Sequence, residues 1–454
     1  MRRYQIKKMV LILGAVGLLL FLLSTHAYAV PSFARQTGFS CNECHTVFPE
    51  LTPIGRNFKL GGYVLSKSNK LFEFPPPLAG FALLSFTNID KKLPSGFTED
   101  EWSNRIMSTG NNVLNIPQEA SIFYGGRIVD HIGAFIQGTF DGTSNTFFLD
   151  MTDIRYANNA TLKGKTLVYG ITINNSPTVQ DIWNSIPSWG FPFDASDVAP
   201  TPAAGTIIDG ALDQQVGGMG LYAFWNNLIY IETTLYRTTR SGITEPLGVG
   251  TTKDMVVDDI APYWRLVLQQ QWGENALSIG TYGIVARIFP DGKSSGSTDK
   301  FTDIAFDAQY QYLGKKHIFS AQTTWIHEKQ DWDASYDSGN TANRSDSLNT
   351  FKININYNYK NHFGNMGGTV AYFSTSGDSD NLLYSPGEIE GSRNGSPDSN
   401  GFIIEMHYLP IENIKFTVQY TLYNKFNGSR SNYDGSGRDA SDNNTLYFAL
   451  SVLL

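Results

Sequence analysis

"FKININYNYK", Phe351 to Lys360, is the stretch on which the fold turns. Phe351, Ile353, Ile355, Tyr357 and Tyr359 fall on one side of an extended chain; Lys352, Asn354, Asn356, Asn358 and Lys360 fall on the other. A period of two reads as a strand with one apolar and one polar face. "NIKFTVQYTLYN" repeats it, with Ile414, Phe416, Val418, Tyr420 and Leu422 on the apolar side. In "FTDIAFDAQYQY" the polar side carries Asp303, Asp307, Gln309 and Gln311.

Working outward from these stretches predicts sixteen strands, starting near residues 79, 118, 131, 146, 163, 214, 227, 258, 275, 300, 315, 347, 362, 399, 413 and 443. Short connections at Val129-Asp130, Asn226-Asn227, Gly273, Gly314-Lys315, Asn361 and Pro410 alternate with longer ones at 90–117, 175–213, 239–257, 329–346, 376–398 and 427–442; the tight turn at 142–145 is the exception. An even number of antiparallel strands with short turns at one end and long loops at the other describes an outer-membrane barrel. The final strand alternates Leu446, Phe448, Leu450, Val452 and Leu454 outward, as a strand closing onto the first would. A soluble sandwich or propeller is the competing expectation. The connection 175–213 is rich in Trp, Pro and Phe; Trp183, Trp189, Phe191 and Phe193 are expected either to narrow the pore from inside or to lie as a lid on its rim.

The N-terminus sets the compartment. Arg2, Arg3, Lys7 and Lys8 precede an apolar run from Met9 to Leu23, and Ala27-Tyr28-Ala29 supplies a cleavage site, so residues 1–29 read as a secretory signal peptide rather than an uncleaved anchor. Removing those four cations takes the formal charge from −8 to −12, which does not suit a nucleic-acid partner.

Residues 30–77 hold the only two cysteines, in Cys41-Asn42-Glu43-Cys44-His45. A disulfide leaves His45 unexplained. Structural zinc needs four ligands, and no other Cys or His lies near. Covalent attachment of one haem c uses all three: Cys41 and Cys44 form thioethers and His45 reaches the iron as its axial ligand. Around them, Phe33, Phe39, Phe48, Leu51, Ile54, Phe58, Leu60 and Tyr63 are expected to cover the porphyrin, and Arg35, Arg56 and Lys59 to pair with its propionates. So small a unit must borrow burial from its neighbour, and Pro75, Pro76 and Pro77 end it as a stiff connector.

No second histidine and no methionine lies between Val30 and Pro77. The sixth iron ligand is therefore weak or absent, an amine (the Val30 terminus or Lys59), or a residue lent by the barrel. Of the histidines near the short-turn rim, His131, His317, His362 and His407, strand alternation points His131 and His407 into the lumen.

On Pro31, Phe33 to Gly38, Cys41 to His45, Phe48-Pro49, Gly55 and Phe58-Lys59, the chain resembles fused outer-membrane monohaem cytochrome c–porins. The resemblance implies a haem domain at 30–77 ahead of a barrel at 78–454, in or beneath the pore on its periplasmic side. Some members oxidise Fe(II) at the cell surface and pass electrons inward, so the resemblance implies an Fe(II):cytochrome c oxidoreductase with outer-membrane lipid, a soluble periplasmic carrier and extracellular Fe(II) or another small donor as partners. A diffusion porin with a haem plug or sensor, and outward transfer to an external acceptor, are the alternatives. Glu99, Asp100, Asp378, Asp380, Glu388 and Glu390 are expected either to gather Fe(II) at the loops or to serve as plain surface charge.

Overall fold

A computed structural model describes residues 32–64, 76–93, 110–238 and 255–454. The proposed signal peptide, Val30, Pro75, Glu99 and Asp100 lie outside the described residues. Sixteen antiparallel strands form one closed ring: β1 Leu78–Ile89, β2 Asn112–Val129, β3 Ile132–Asp141, β4 Thr146–Leu162, β5 Lys165–Asn174, β6 Gly217–Trp225, β7 Ile229–Arg237, β8 in two pieces (Val256–Asp258 and Ala261–Trp272), β9 Asn275–Phe289, β10 Asp299–Leu313, β11 His317–Asp331, β12 Ser345–Asn361, β13 Gly364–Gly377, β14 Ser399–Ile411, β15 Ile414–Lys425 and β16 Thr445–Leu453. Both pieces of β8 pair with β9, and the break falls at Asp259, whose φ of 56° bulges the strand. The largest departure from the expected starts is β2, which begins at Asn112 rather than near 118.

The ring closes between its ends. β1 pairs with β16 from Phe81↔Leu453 to Ile89↔Thr445, so no edge is left open. Consecutive strands pair all round the ring, and only the β1–β16 seam joins strands that are distant in sequence.

Which face points where separates a membrane barrel from a soluble one. On β12, Ile353, Ile355 and Tyr357 are 37%, 48% and 46% exposed, whereas Asn354, Asn356 and Asn358 are buried. The same inversion runs round the ring: Leu221, Ile231, Leu268, Ile279, Phe306, Val370, Ile404 and Met406 face outward, and Thr172, Arg265, Gln309, Gln322, Glu405 and Gln419 face the lumen. A continuous apolar outer band with a polar interior is stable only in lipid, and the chain is a barrel of the outer-membrane type. Four short α-helices accompany the barrel among the described residues: α1 Ser32–Thr37, α2 Cys41–Cys44 and α3 Pro53–Leu60 ahead of it, and α4 Asp333–Asp337 in a long loop.

Candidate functional site: the Cys-x-x-Cys-His turn and the lumen plug

The segment 32–64 is wedged into the barrel at its short-turn end. α3 is the wedge. Thr52 caps it, its hydroxyl accepting from Gly55 N, and Pro53 occupies the first turn where no amide partner is needed. Arg56 donates to Gln269 at 3.1 Å and also to Gln309 and Gln311, all lumen-facing. Glu50, fully buried, accepts from Gln311 at 2.7 Å and Ser320 at 3.0 Å. Leu60 packs with Ile182, Trp183, Tyr222, Tyr230 and Val267. Beyond the helix, Tyr63 donates to Asp153 at 2.7 Å. The turn there comes so near the wall that a Cβ on Gly133 would stand 2.2 Å from the Gly62 carbonyl.

The long connection between β5 and β6 meets this wedge from the other side. It folds inward and does not lie as a lid: Trp183 is fully buried and donates to Gln269 at 2.8 Å, and Ser185 donates to Asp307 at 2.6 Å. Phe191 and Phe193 pack on Ala371 and Ile403 of the wall. Loop and plug touch directly, through Lys59 to the Val179 carbonyl at 2.7 Å and Leu51 N to the Asn184 carboxamide at 2.9 Å. Between the loop tip (Asn184 to Phe191) and the β11–β12 wall (Gln322, Thr324, Lys352, Asn354) a cleft of ≈ 30 Å³ remains.

Cys41 and Cys44 begin and end the single turn of α2, and His45 follows it, its amide donating to Cys41 O at 2.8 Å. The turn is clamped from both sides. Glu412, in the β14–β15 turn, accepts from Cys41 N and from the Asn42 side chain, each at 2.8 Å. α3 closes on Cys44 through Gly55, where any Cβ would lie 2.4 Å from the Cys44 carbonyl oxygen. Both thiols are half-exposed and free. Burial and then Glu412 push Cys41 up to about 12, and burial raises Cys44, so both thiols rest protonated. No group of three or more His, Cys, Asp or Glu able to hold a metal ion occurs among the described residues. Burial lowers the His45 imidazole to about 4 and keeps it neutral. Its Nδ1 sits 3.2 Å from the Pro49 carbonyl, so the tautomer that donates there leaves Nε2 with its lone pair. Two thiols on one turn and a neutral imidazole with one nitrogen already tied form the donor set that a covalently held haem requires, and the residues present fit that group.

Arg56 and Lys59, expected to pair with propionates, are buried in the lumen, where Gln269, Gln309 and Gln311 accept from Arg56 and the Val179 carbonyl accepts from Lys59. Arg35 is exposed and donates to the Leu78 carbonyl. Phe33 and Tyr63 stack on one another at 5.6 Å, and Phe58 meets both edge-on, with centroids 4.9 and 6.0 Å away. Phe48 packs against the β1–β2–β16 wall. These rings anchor the plug instead of lining one shared porphyrin face; Ile54, 45% exposed, remains open to solvent. His407 is buried in the lumen, but both ring nitrogens are taken, by Glu405 at 3.3 Å and Asn358 at 2.6 Å. His131 sits at the β2–β3 turn with φ 68°, where strand alternation no longer dictates its direction, and its Nδ1 bonds the Ala157 carbonyl at 3.1 Å. His317 bonds the Tyr357 hydroxyl on the outer face, and the ring of His362 lies against Phe363 in the β12–β13 turn. Sequence reasoning missed Glu412, which lies 371 residues from its partner Cys41 and has no local signal.

The loop carboxylates divide. Asp380 accepts four backbone amides and Asp378 accepts from Ser347 N and Oγ, so both lock loops in place. Glu388 and Glu390 are exposed.

No protein-family model matches this chain, and no curated protein matches it. Among solved structures it is similar to the outer-membrane channel DcaP of Acinetobacter baumannii, at 13% identity over 86% of this chain and 100% of that one, with a TM-score of 0.48. It is also similar to an anion-selective porin from Comamonas acidovorans, at 10% identity over 83% and 98% with a TM-score of 0.44. A third is the Salmonella typhi OmpF complex with daunomycin, at 12% identity over 83% and 97% with a TM-score of 0.42.

Proposed function

We propose that this barrel holds one haem c through Cys41 and Cys44, with His45 on the iron, and passes electrons between an extracellular donor, Fe(II) in the first instance, and a soluble periplasmic carrier. The observation that carries the proposal is the α2 turn itself: two accessible thiols one turn apart, followed by a neutral imidazole oriented by Pro49 O. The haem, when bound, supplies one-electron redox chemistry. The chain's own residues position it. Glu412 and Gly55 fix the turn against the barrel, and Pro49 sets the imidazole tautomer. Plug and inward loop together occupy the lumen, and the cleft beside the loop tip has room for about two waters.

A second proposal, a diffusion pore with an N-terminal plug, is supported by the amide- and hydroxyl-lined wall of that cleft, where Gln322, Thr324 and Asn354 meet Asn184 and Ser185. Haem staining on a denaturing gel tests the first: the parent protein stains, and Cys41→Ser or Cys44→Ser weakens or abolishes the band. Full staining of both variants, or none of the parent, overturns it. Conductance of the haem-loaded protein in a planar bilayer decides between electrons and solutes, because steady open-pore current belongs only to the second. Mixing Fe(II) with oxidised protein then fixes the direction of flow.

A further inference from the structure

Thr46 to Glu50 form a turn closed on itself: Glu50 N donates to Val47 O at 2.7 Å and Thr46 N to Glu50 O at 3.0 Å. The Pro49 carbonyl that orients the His45 imidazole belongs to this turn, and the His45 and Leu51 backbones bridge across its base. None of these bonds ties the turn to the barrel. Glu50 does. Its side chain is 1% exposed and meets the lumen wall, where Gln311 on β10 donates at 2.7 Å and Ser320 on β11 at 3.0 Å. The same Gln311 amide donates to Leu51 O at 3.1 Å, and its Oε1 accepts from Arg56 of α3. Asn365 on β13 adds one bond, to Thr46 O at 3.3 Å.

Two donors from adjacent strands converge on Glu50, and an acceptor-only group satisfies both, whereas a neutral amide would turn its own N–H toward one of them. Bonds from buried donors to a carboxylate are short and strong, so the carbonyl that orients His45 is located by the barrel wall and not by the plug alone. We propose that Glu50 is a positioning residue for the axial ligand: the wall, acting through Glu50, holds Pro49 O on the imidazole Nδ1 and so sets the reduction potential of the haem. The effect on potential rests on the haem reading of this turn; the orientation of His45 does not. A ring N–H held by a carbonyl makes the imidazole a more basic ligand, which stabilises oxidised iron and lowers the potential. Loosening the turn therefore raises it.

The full-length chain is tested in two forms. Made without haem, its labelled histidines report the His45 tautomer by nitrogen NMR, the signal being assigned by its loss in His45→Gln. The parent should hold the proton on Nδ1, and Ser320→Ala and the double variant Gln311→Leu/Ser320→Ala should cut that preference at least about threefold. In the haem-loaded protein the double variant should raise the ratio of reduced to oxidised haem about threefold at a fixed potential, a shift of about 30 mV for one electron. Both variants keep the Glu50 charge, whereas Glu50→Gln removes it. A potential that moves in Glu50→Gln but not in the double variant makes Glu50 a nearby charge and overturns the proposal. An unmoved tautomer in the double variant overturns it as well. Heat-shifted gel mobility confirms that the variant barrels fold, and Ser320→Thr, which keeps the hydroxyl, should restore the parent tautomer. If Ser320→Thr behaves as Ser320→Ala does, packing and not the bond to Glu50 holds the turn, and the proposal falls. A parent that does not stain for haem defeats the haem reading alone, because the tautomer is still measured without it.

Discussion

The Lys59 ammonium donates to the Val179 carbonyl at 2.7 Å and lies 4.7 Å from the Trp189 ring, joining plug to inward loop at a point where Lys59 is almost wholly buried. Burial, and then the neighbouring Arg155, lower this lysine to about 7. An unfolded lysine titrates near 10.4, so between about 7 and 10 the unfolded chain binds the proton that the folded chain has released. Stability therefore rises with pH across that window. Urea midpoints should increase from pH 8 to pH 10 in the parent and stay flatter in Lys59→Met. A parent midpoint that falls over the same range contradicts this assignment.

Arg265 holds the loop on the opposite side. Its guanidinium lies 3.1 Å from Asp181 in the loop and 3.0 Å from Asp307 on β10, with all three side chains buried. Removing one member of a buried ionic group typically costs about 3–5 kcal/mol, because the remaining charges lose their partner. Arg265→Ala should release the loop and raise bilayer conductance while the barrel still folds. Unchanged conductance together with unchanged stability would show that the loop is held without it.

Gly55 is needed for space rather than for backbone freedom. A Cβ there meets Cys44 O at 2.4 Å and Leu51 Cδ2 at 2.9 Å. Gly55→Val should push α3 off the α2 turn at a cost of about 1–3 kcal/mol, exposing the plug to protease added from the short-turn side. A plug as resistant as the parent's would mean that the turn yields instead.

At the other end of the barrel, Asp380 accepts Ala342 N and Asn343 N through one oxygen and Leu382 N and Leu383 N through the other, at 2.7 to 2.9 Å. Burial pushes its carboxyl up, but the four amides outweigh that and hold it below the usual range. Its contribution is complete above about pH 4, the unfolded value, and is lost as pH falls through the lower folded one. Asp380→Asn should loosen the loops at 332–344 and 378–398 by about 2 kcal/mol and make protease cutting there insensitive to acid, whereas the parent becomes more susceptible as pH drops. Equal cutting of the two at neutral pH would place the lock elsewhere.

The apolar faces of β12 and β15, the sixteen-strand count and the closing strand were legible in the sequence because a strand's two faces are written in alternate residues, and a hairpin joins elements that already follow one another. The Cys-x-x-Cys-His pattern lies within five consecutive residues and needs no fold to be seen, whereas Glu412, which holds its turn, comes from 371 residues away. Arg56 and Lys59 carry no local sign of the partners Gln269 and Val179, 213 and 120 residues away, that the fold brings against them. His407 faces the lumen as alternation requires, yet only the tertiary structure shows Asn358 and Glu405 occupying both its nitrogens. Asp380 reads as one more loop acid until four amides from two loops converge on it. Alternation fixes which way a side chain leaves the backbone, but its partner depends on contacts made across the lumen by chain segments that share no local pattern.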